Sequence, residues 1–186
     1  MDGEREASDF HYELIEMYKA IQNGWIPPYT ITKDMYQKIR GSDDDPALKG
    51  FVGFFHSWGG KYFGGYIGEK SDGRVRMGEG YRYILKKTDT MKNVHFKHCN
   101  YKDLNPNNAL IYCDPPYDGC TGYGLGKFDS TEFWEWCRVV SKNNTVIISE
   151  YTAPDDFKCI WEKDVKLCMR SKNGCQPRTE KLFMIN

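Results

Sequence analysis

The sequence lacks several features that would place the chain in a specialised class of protein. Its 26 Lys and Arg residues balance 26 Asp and Glu residues, so a zero net charge gives no overall attraction to nucleic acid. No apolar run approaches the roughly 20 residues that a membrane-spanning helix needs. The acidic start, Met-Asp-Gly-Glu, is unlike the basic start of a signal peptide. A polyanion would therefore need a local basic patch, and no association with a membrane is predicted.

The cysteine pattern argues against a disulfide framework. Seven cysteines are present, none of them in a Cys-x-x-Cys pair, and an odd number would leave one unpaired. Without a secretory signal, this pattern indicates a reducing compartment, the cytoplasm. The segment His95-x-x-His98-Cys99 resembles a metal cluster, but alternation along a strand turns His95 and His98 to opposite faces. No metal is predicted there.

The order of the elements predicts an α/β fold. A length of 186 residues with 40% hydrophobic and 15% aromatic content suits one domain with an insertion. Helical spacing begins after Asp9, which is placed as an N-cap, and ends near Gly24. Further helices are predicted over 34–40, 81–91 and 131–142, and strands over 94–98, 109–113, 145–148, 158–162 and 181–185. Apolar strands that alternate with helices predict a parallel sheet covered by helices.

The segment 51–80 interrupts this pattern. Glycines recur from Gly59 to Gly80, interleaved with Tyr62, Phe63, Tyr66 and the basic residues Lys61, Lys70, Arg74 and Arg76. This composition is typical of an irregular insertion. The chain is therefore divided into residues 1–50, an insertion over 51–80, and residues 81–186.

The tetrapeptide Asp114-Pro115-Pro116-Tyr117 directly follows the predicted buried strand 109–113. In an open α/β sheet, ligands bind beyond the carboxyl ends of the strands. The two prolines remove two N–H donors and hold the backbone extended, so the Asp114 carboxylate and the Pro115 carbonyl can present acceptors beside the Tyr117 ring. Such a site suits an aromatic amine. A plainer interpretation stays open, in which the prolines end a strand and Asp114 caps a turn.

With its neighbours, this motif resembles the Dam-like, α-group N6-adenine DNA methyltransferases, over nearly the whole chain. The residues that carry the resemblance are Ser8–Ile15, Leu110–Tyr117, Thr121–Tyr123, Phe128–Asp129, Ile147–Tyr151, Arg170–Gly174 and Arg178–Leu182. The resemblance implies a Rossmann-like methyltransferase sheet with a target-recognition insertion. It also implies site-specific methylation of double-stranded DNA from S-adenosylmethionine, as in restriction-modification systems.

The resemblance also implies roles for individual residues. Asp114, Pro115, Pro116 and Tyr117 would form the catalytic motif, Asp9 would hold the ribose hydroxyls of S-adenosylmethionine, and Asp114 would also lie against this cofactor. The target-recognition segment 51–80 and the basic tail would lie near DNA. The DNA-binding residues implied in these two segments are Lys61, Arg74, Arg76, Arg170, Lys172 and Arg178.

The pattern departs from the family before Asp9. A first strand with a Gly-rich loop is expected there, but only Met1–Ser8 precedes Asp9, with one glycine and no apolar strand. The sheet is therefore expected to lack its first strand, and its second to be absent or a stub, so that strands 94–98 and 109–113 each lose a neighbour. The chain is expected to bind S-adenosylmethionine weakly on its own. A gene remnant, a split enzyme completed by a separate chain, or a misplaced start codon would explain this.

Two other functions remain open from the sequence. The chain could be a DNA-binding module without turnover, holding DNA through residues such as Lys61 and Arg74, although these basic residues could equally form an ordinary solvated surface. It could instead methylate RNA or a protein glutamine, because Asp-Pro-Pro-Tyr also occurs in methyltransferases with those substrates. A recognition insertion placed before the motif favours DNA.

Overall fold

The computed structural model describes residues 3–68, 78–117, 128–167 and 176–185. The predicted α/β class is confirmed at this level. The described helices are α1 Tyr12–Gln22, α2 Lys33–Arg40, α3 Pro46–Phe55, α4 Glu79–Met91 and α5 Ser130–Val140; the strands are β1 Arg5–Asp9, β2 Val94–His98, β3 Leu110–Cys113, β4 Thr145–Glu150, β5 Phe157–Leu167 and β6 Gln176–Ile185. The chain forms two compact units, Met1–Leu104 and Asn105–Asn186.

The first unit contains a five-residue strand before α1, where the sequence led us to expect that a strand is absent or only a stub. Strand β1 pairs in parallel with β2, from Arg5 opposite Val94 to Asp9 opposite His98. Four of its five side chains are exposed and only Ala7 is half-buried, so no hydrophobic pattern marks it. Its pairing to β2 depends on backbone hydrogen bonds, which are independent of side-chain polarity. The sequence led us to expect that the strand 94–98 lacks a neighbour. This expectation was wrong for one edge of β2, because β1 pairs with that edge.

The start of α1 also differs from the prediction. The N-cap is His11 and not Asp9, because Asp9 is still part of β1. The Asp9 carboxylate nevertheless stabilises the turn into the helix, since its Oδ1 accepts the His11 backbone N–H at 2.6 Å. The later helices α2 and α3 have ordinary side-chain caps, with Thr32 accepting from Met35 N–H and Asp45 from Leu48 N–H.

The core of the first unit is formed by helices α1 to α4. The fully buried side chains are contributed by Met17, Ile21, Ile31, Tyr36, Phe51, Val52 and Ile84. Phe51 and Val52 lie in α3 and Phe63 packs against the same core, so the described part of the segment 51–80 contributes to the packed interior. The backbone after α3 is irregular, with a short 3-10 turn over Trp58–Gly60. Residues 69–77 lie outside the described part of the chain.

The second unit contains a four-stranded sheet in the order β3-β4-β6-β5. Strands β3 and β4 are parallel, but β6 runs antiparallel to both β4 and β5. The sheet is therefore mixed, which corrects the prediction of a parallel sheet. The antiparallel pairing of β5 with β6 follows from chain length, because residues 168–175 join these two adjacent strands and a parallel connection between neighbours needs about a dozen residues or more.

The two faces of this sheet differ in what covers them. The register places Cys113, Ile148 and Phe183 on one face. Helix α5 covers this face, as shown by contact between the thiols of Cys137 and Cys113. Tyr112, Ser149 and Leu182 alternate to the opposite face. The candidate site lies on that opposite face.

Candidate functional site

Asp114 lies at the carboxyl end of β3, where the sequence predicted a ligand site. Because Cys113 pairs with Ile148, the next residues along the two parallel strands, Asp114 and Ser149, are neighbours. Burial, and then the negative charge of Glu180, raise the pKa of the Asp114 carboxyl above its usual range. Within the described residues no donor is hydrogen-bonded to this carboxylate, so its oxygens can accept from a ligand.

The Tyr117 side chain contacts two residues at the end of β4, Ser149 and Tyr151. Its hydroxyl shares a hydrogen bond of 2.5 Å with the hydroxyl of Ser149, which is buried. The Tyr117 ring also contacts the Tyr151 ring nearly edge-on, with centroids 4.6 Å apart and planes at 87°. Burial is the main cause that raises the pKa of the Tyr117 hydroxyl. A ring fixed at its hydroxyl and against a second ring is preorganised to pack against a flat ligand.

Three residues of this site had no role assigned from the sequence alone. Ser149 and Tyr151 flank the end of β4, and Glu180 lies on β6. A sequence signal existed for Ser149, since it directly follows an apolar strand, as Asp114 does. Glu180 had no such signal, because its proximity to Asp114 depends on the antiparallel pairing of β6 with β4.

Asp9 belongs to the first unit and lies at the carboxyl end of β1. One of its oxygens accepts the His11 N–H, and its side chain is exposed. The neighbouring Phe10 ring is 52% exposed. A carboxylate at a strand end beside an exposed ring fits the diol and the base of a nucleoside.

The predicted DNA-binding residues are only partly described. Lys61 is exposed and follows the turn Trp58–Gly60, whose Trp58 is also exposed. Arg178 lies on β6, where its backbone pairs with Val165. The remaining four lie outside the described residues: Arg74, Arg76, Arg170 and Lys172.

We expect Tyr117→Phe to retain more activity than Tyr117→Ala, because phenylalanine keeps the ring and loses only the bond to Ser149. Ser149→Ala should reproduce the moderate effect of Tyr117→Phe, since it removes the other partner of the same hydrogen bond. Steady-state rates of the methylation that the family resemblance implies, measured for the three variants and for the double variant Tyr117→Phe/Ser149→Ala, test this. A double variant much worse than either single variant would show that the two hydroxyls act separately.

No group of three or more His, Cys, Asp or Glu side chains in the described ranges is arranged to hold a metal ion. None of the described helices is both long enough and apolar enough to cross a membrane. The chain matches no protein-family model and no curated protein.

Proposed function

We propose that the protein is a site-specific DNA methyltransferase that transfers a methyl group from S-adenosylmethionine to N6 of adenine. The observation that supports it most directly is the arrangement at the end of β3. There the Asp114 carboxylate, with no hydrogen-bond donor among the described residues, lies beside a Tyr117 ring fixed by Ser149. The resemblance of Asp114-Pro115-Pro116-Tyr117 and its neighbours to the Dam-like family supports the same activity.

The chemistry of an aromatic amine explains the need for these acceptors. The nitrogen lone pair of adenine N6 is delocalised into the ring, so the amine is a poor nucleophile. When the Asp114 carboxylate and the Pro115 carbonyl accept its two N–H groups, the lone pair is directed toward the methyl group. S-adenosylmethionine, when bound, supplies this methyl group on a sulfonium, whose sulfur keeps the electron pair of the broken C–S bond. The catalytic effect is positioning together with electrostatic stabilisation.

Tyr117 would pack against the target base after the base leaves the duplex. Stacking on an aromatic side chain stabilises an unpaired base by about 1–3 kcal/mol. The contact of Tyr117 with Tyr151 limits rotation of the ring, so little conformational freedom is lost on binding. By the family resemblance, Asp9 would hold the ribose hydroxyls of S-adenosylmethionine, and the Phe10 ring beside it is exposed.

The activity is tested by incubating the chain with S-adenosylmethionine and DNA that lacks N6-methyladenine, followed by mass spectrometry of the nucleosides. Parallel reactions contain RNA or a glutamine-containing protein, and each is repeated with an added polypeptide carrying the family's first strand and Gly-rich loop. We expect N6-methyladenine in DNA. Its absence under both conditions, or methylation of RNA or glutamine only, would overturn the proposal.

The basic tail should contribute to DNA affinity through phosphate contacts. When Arg170, Lys172 and Arg178 are replaced together with alanine, each lost contact should reduce the log–log slope of affinity against salt by about 0.9. A matched control replaces three exposed lysines elsewhere, Lys86, Lys87 and Lys142. Equal slopes for the two triple variants would identify the tail as ordinary solvated surface.

A further inference from the structure

Glu180 lies on the same face of the sheet as the candidate site. Ser149 is paired with Leu182 across β4 and β6, so their side chains share a face. Glu180 lies two residues before Leu182 on β6 and therefore points to that face as well. The Ser149 hydroxyl on this face is hydrogen-bonded to the Tyr117 hydroxyl. The register thus brings a carboxylate from β6 to the group of residues that surrounds Asp114.

The charge of Glu180 reaches both groups of the motif. It is the second cause, after burial, that raises the pKa of Asp114, and it also contributes to the raised pKa of Tyr117. The other titratable groups on this face include the phenols of Tyr112 on β3 and Tyr151 after β4. They also include two cations on β5, namely Lys163, which pairs directly opposite Glu180, and Lys158, which pairs with Met184. Lys181 is adjacent to Glu180, but alternation along β6 turns its side chain to the opposite face.

We propose, on the basis of the proposed function, that Glu180 is a positioning residue of the methyl-transfer site, placing a second negative charge beside Asp114. In the transfer, a C–N bond forms to the amine, the C–S bond breaks and its electron pair goes to sulfur. The nitrogen becomes positively charged until it releases one proton to solvent. Two carboxylates stabilise this developing charge better than one. Repulsion between the two carboxylates also means that Asp114 ionises at a higher pH than it would without Glu180.

The electrostatic coupling between Glu180 and Asp114 can be measured without turnover, by following the NMR signal of the Asp114 carboxyl carbon as the pH is changed. The variant Asp114→Asn assigns this signal. In Glu180→Gln, the Asp114 midpoint should move to lower pH. Glu180→Asp keeps the charge and should leave the midpoint closer to that of the parent. Glu162→Gln removes an exposed carboxylate of β5 and serves as the matched control. An unchanged midpoint in Glu180→Gln would overturn the proposal.

The pH dependence of methylation gives a second test. Glu180→Gln should lower kcat at neutral pH, and it should move the acid limb of the profile to lower pH, with KM for DNA unchanged. A lower rate without movement of the acid limb would make Glu180 merely structural and contradict the proposal. If the parent chain forms no N6-methyladenine, the proposed function fails, whereas the NMR titration still reports separately whether the two carboxylates are coupled.

Discussion

Replacing Asp114 with alanine is expected to reduce methyl transfer to adenine by on the order of 10²–10³-fold, as does removal of one preorganised group at other transition states. Under the proposed function, the physical reason is that the Asp114 carboxylate would act on the amine while positive charge develops on nitrogen. DNA affinity should change only a few-fold, because it depends mainly on phosphate contacts. Methylation kinetics and DNA binding at one fixed salt concentration test the two halves of this expectation.

Two further variants make this result specific. Asp114→Asn keeps an acceptor oxygen and removes the charge, so its rate should fall between those of the parent and Asp114→Ala. Asp155→Ala changes an exposed aspartate of the same unit and should leave the rate unchanged. A rate for Asp114→Ala within tenfold of the parent would exclude Asp114 from the catalytic role.

Gly50→Ala is expected to destabilise the first unit by about 2–3 kcal/mol, near the upper end of the usual cost of overpacking. Helices α1 and α3 cross closely here: a Cβ atom at Gly50 would lie 2.2 Å from the Glu13 carbonyl oxygen and 2.8 Å from its carbon. Both contacts are with backbone, which cannot move aside as a flexible side chain would. The helices must separate instead, and the packing around Met17 and Phe51 is lost.

The measurement is urea unfolding, followed by circular dichroism and by the tryptophan signal, which includes Trp25 packed against the core residue Phe51. Gly41→Ala is the control, because the nearest atoms to its Cβ would lie at 3.8 and 3.9 Å and its φ of −92° suits alanine. We expect Gly41→Ala to unfold at the parent midpoint. Equal midpoints for Gly50→Ala and Gly41→Ala would show that α1 and α3 do not require this close approach.

Elements with a strong local pattern could be predicted from the sequence. The apolar runs that became β3 and β4 and the periodic stripe of α1 favour a strand or a helix by their spacing. The placement of Asp114 directly after β3 followed in the same way. The position of the Tyr117 ring near Asp114 could also be predicted, because Pro115 and Pro116 restrict the backbone between these two residues. The prediction that the strand 109–113 is buried was wrong, because the Leu110 and Tyr112 side chains of β3 are 54% and 62% exposed.

The sequence by itself therefore determined the α/β class, most of the helices and strands, and the motif Asp114–Tyr117. Only the tertiary structure decided the pairing of the polar strand β1 with β2 and the antiparallel direction of β6. It also decided the contact of Tyr117 with Ser149 and the proximity of Glu180 to Asp114. These features depend on backbone hydrogen bonds and strand register between segments far apart in the chain, and neither leaves a periodic pattern in the residues themselves.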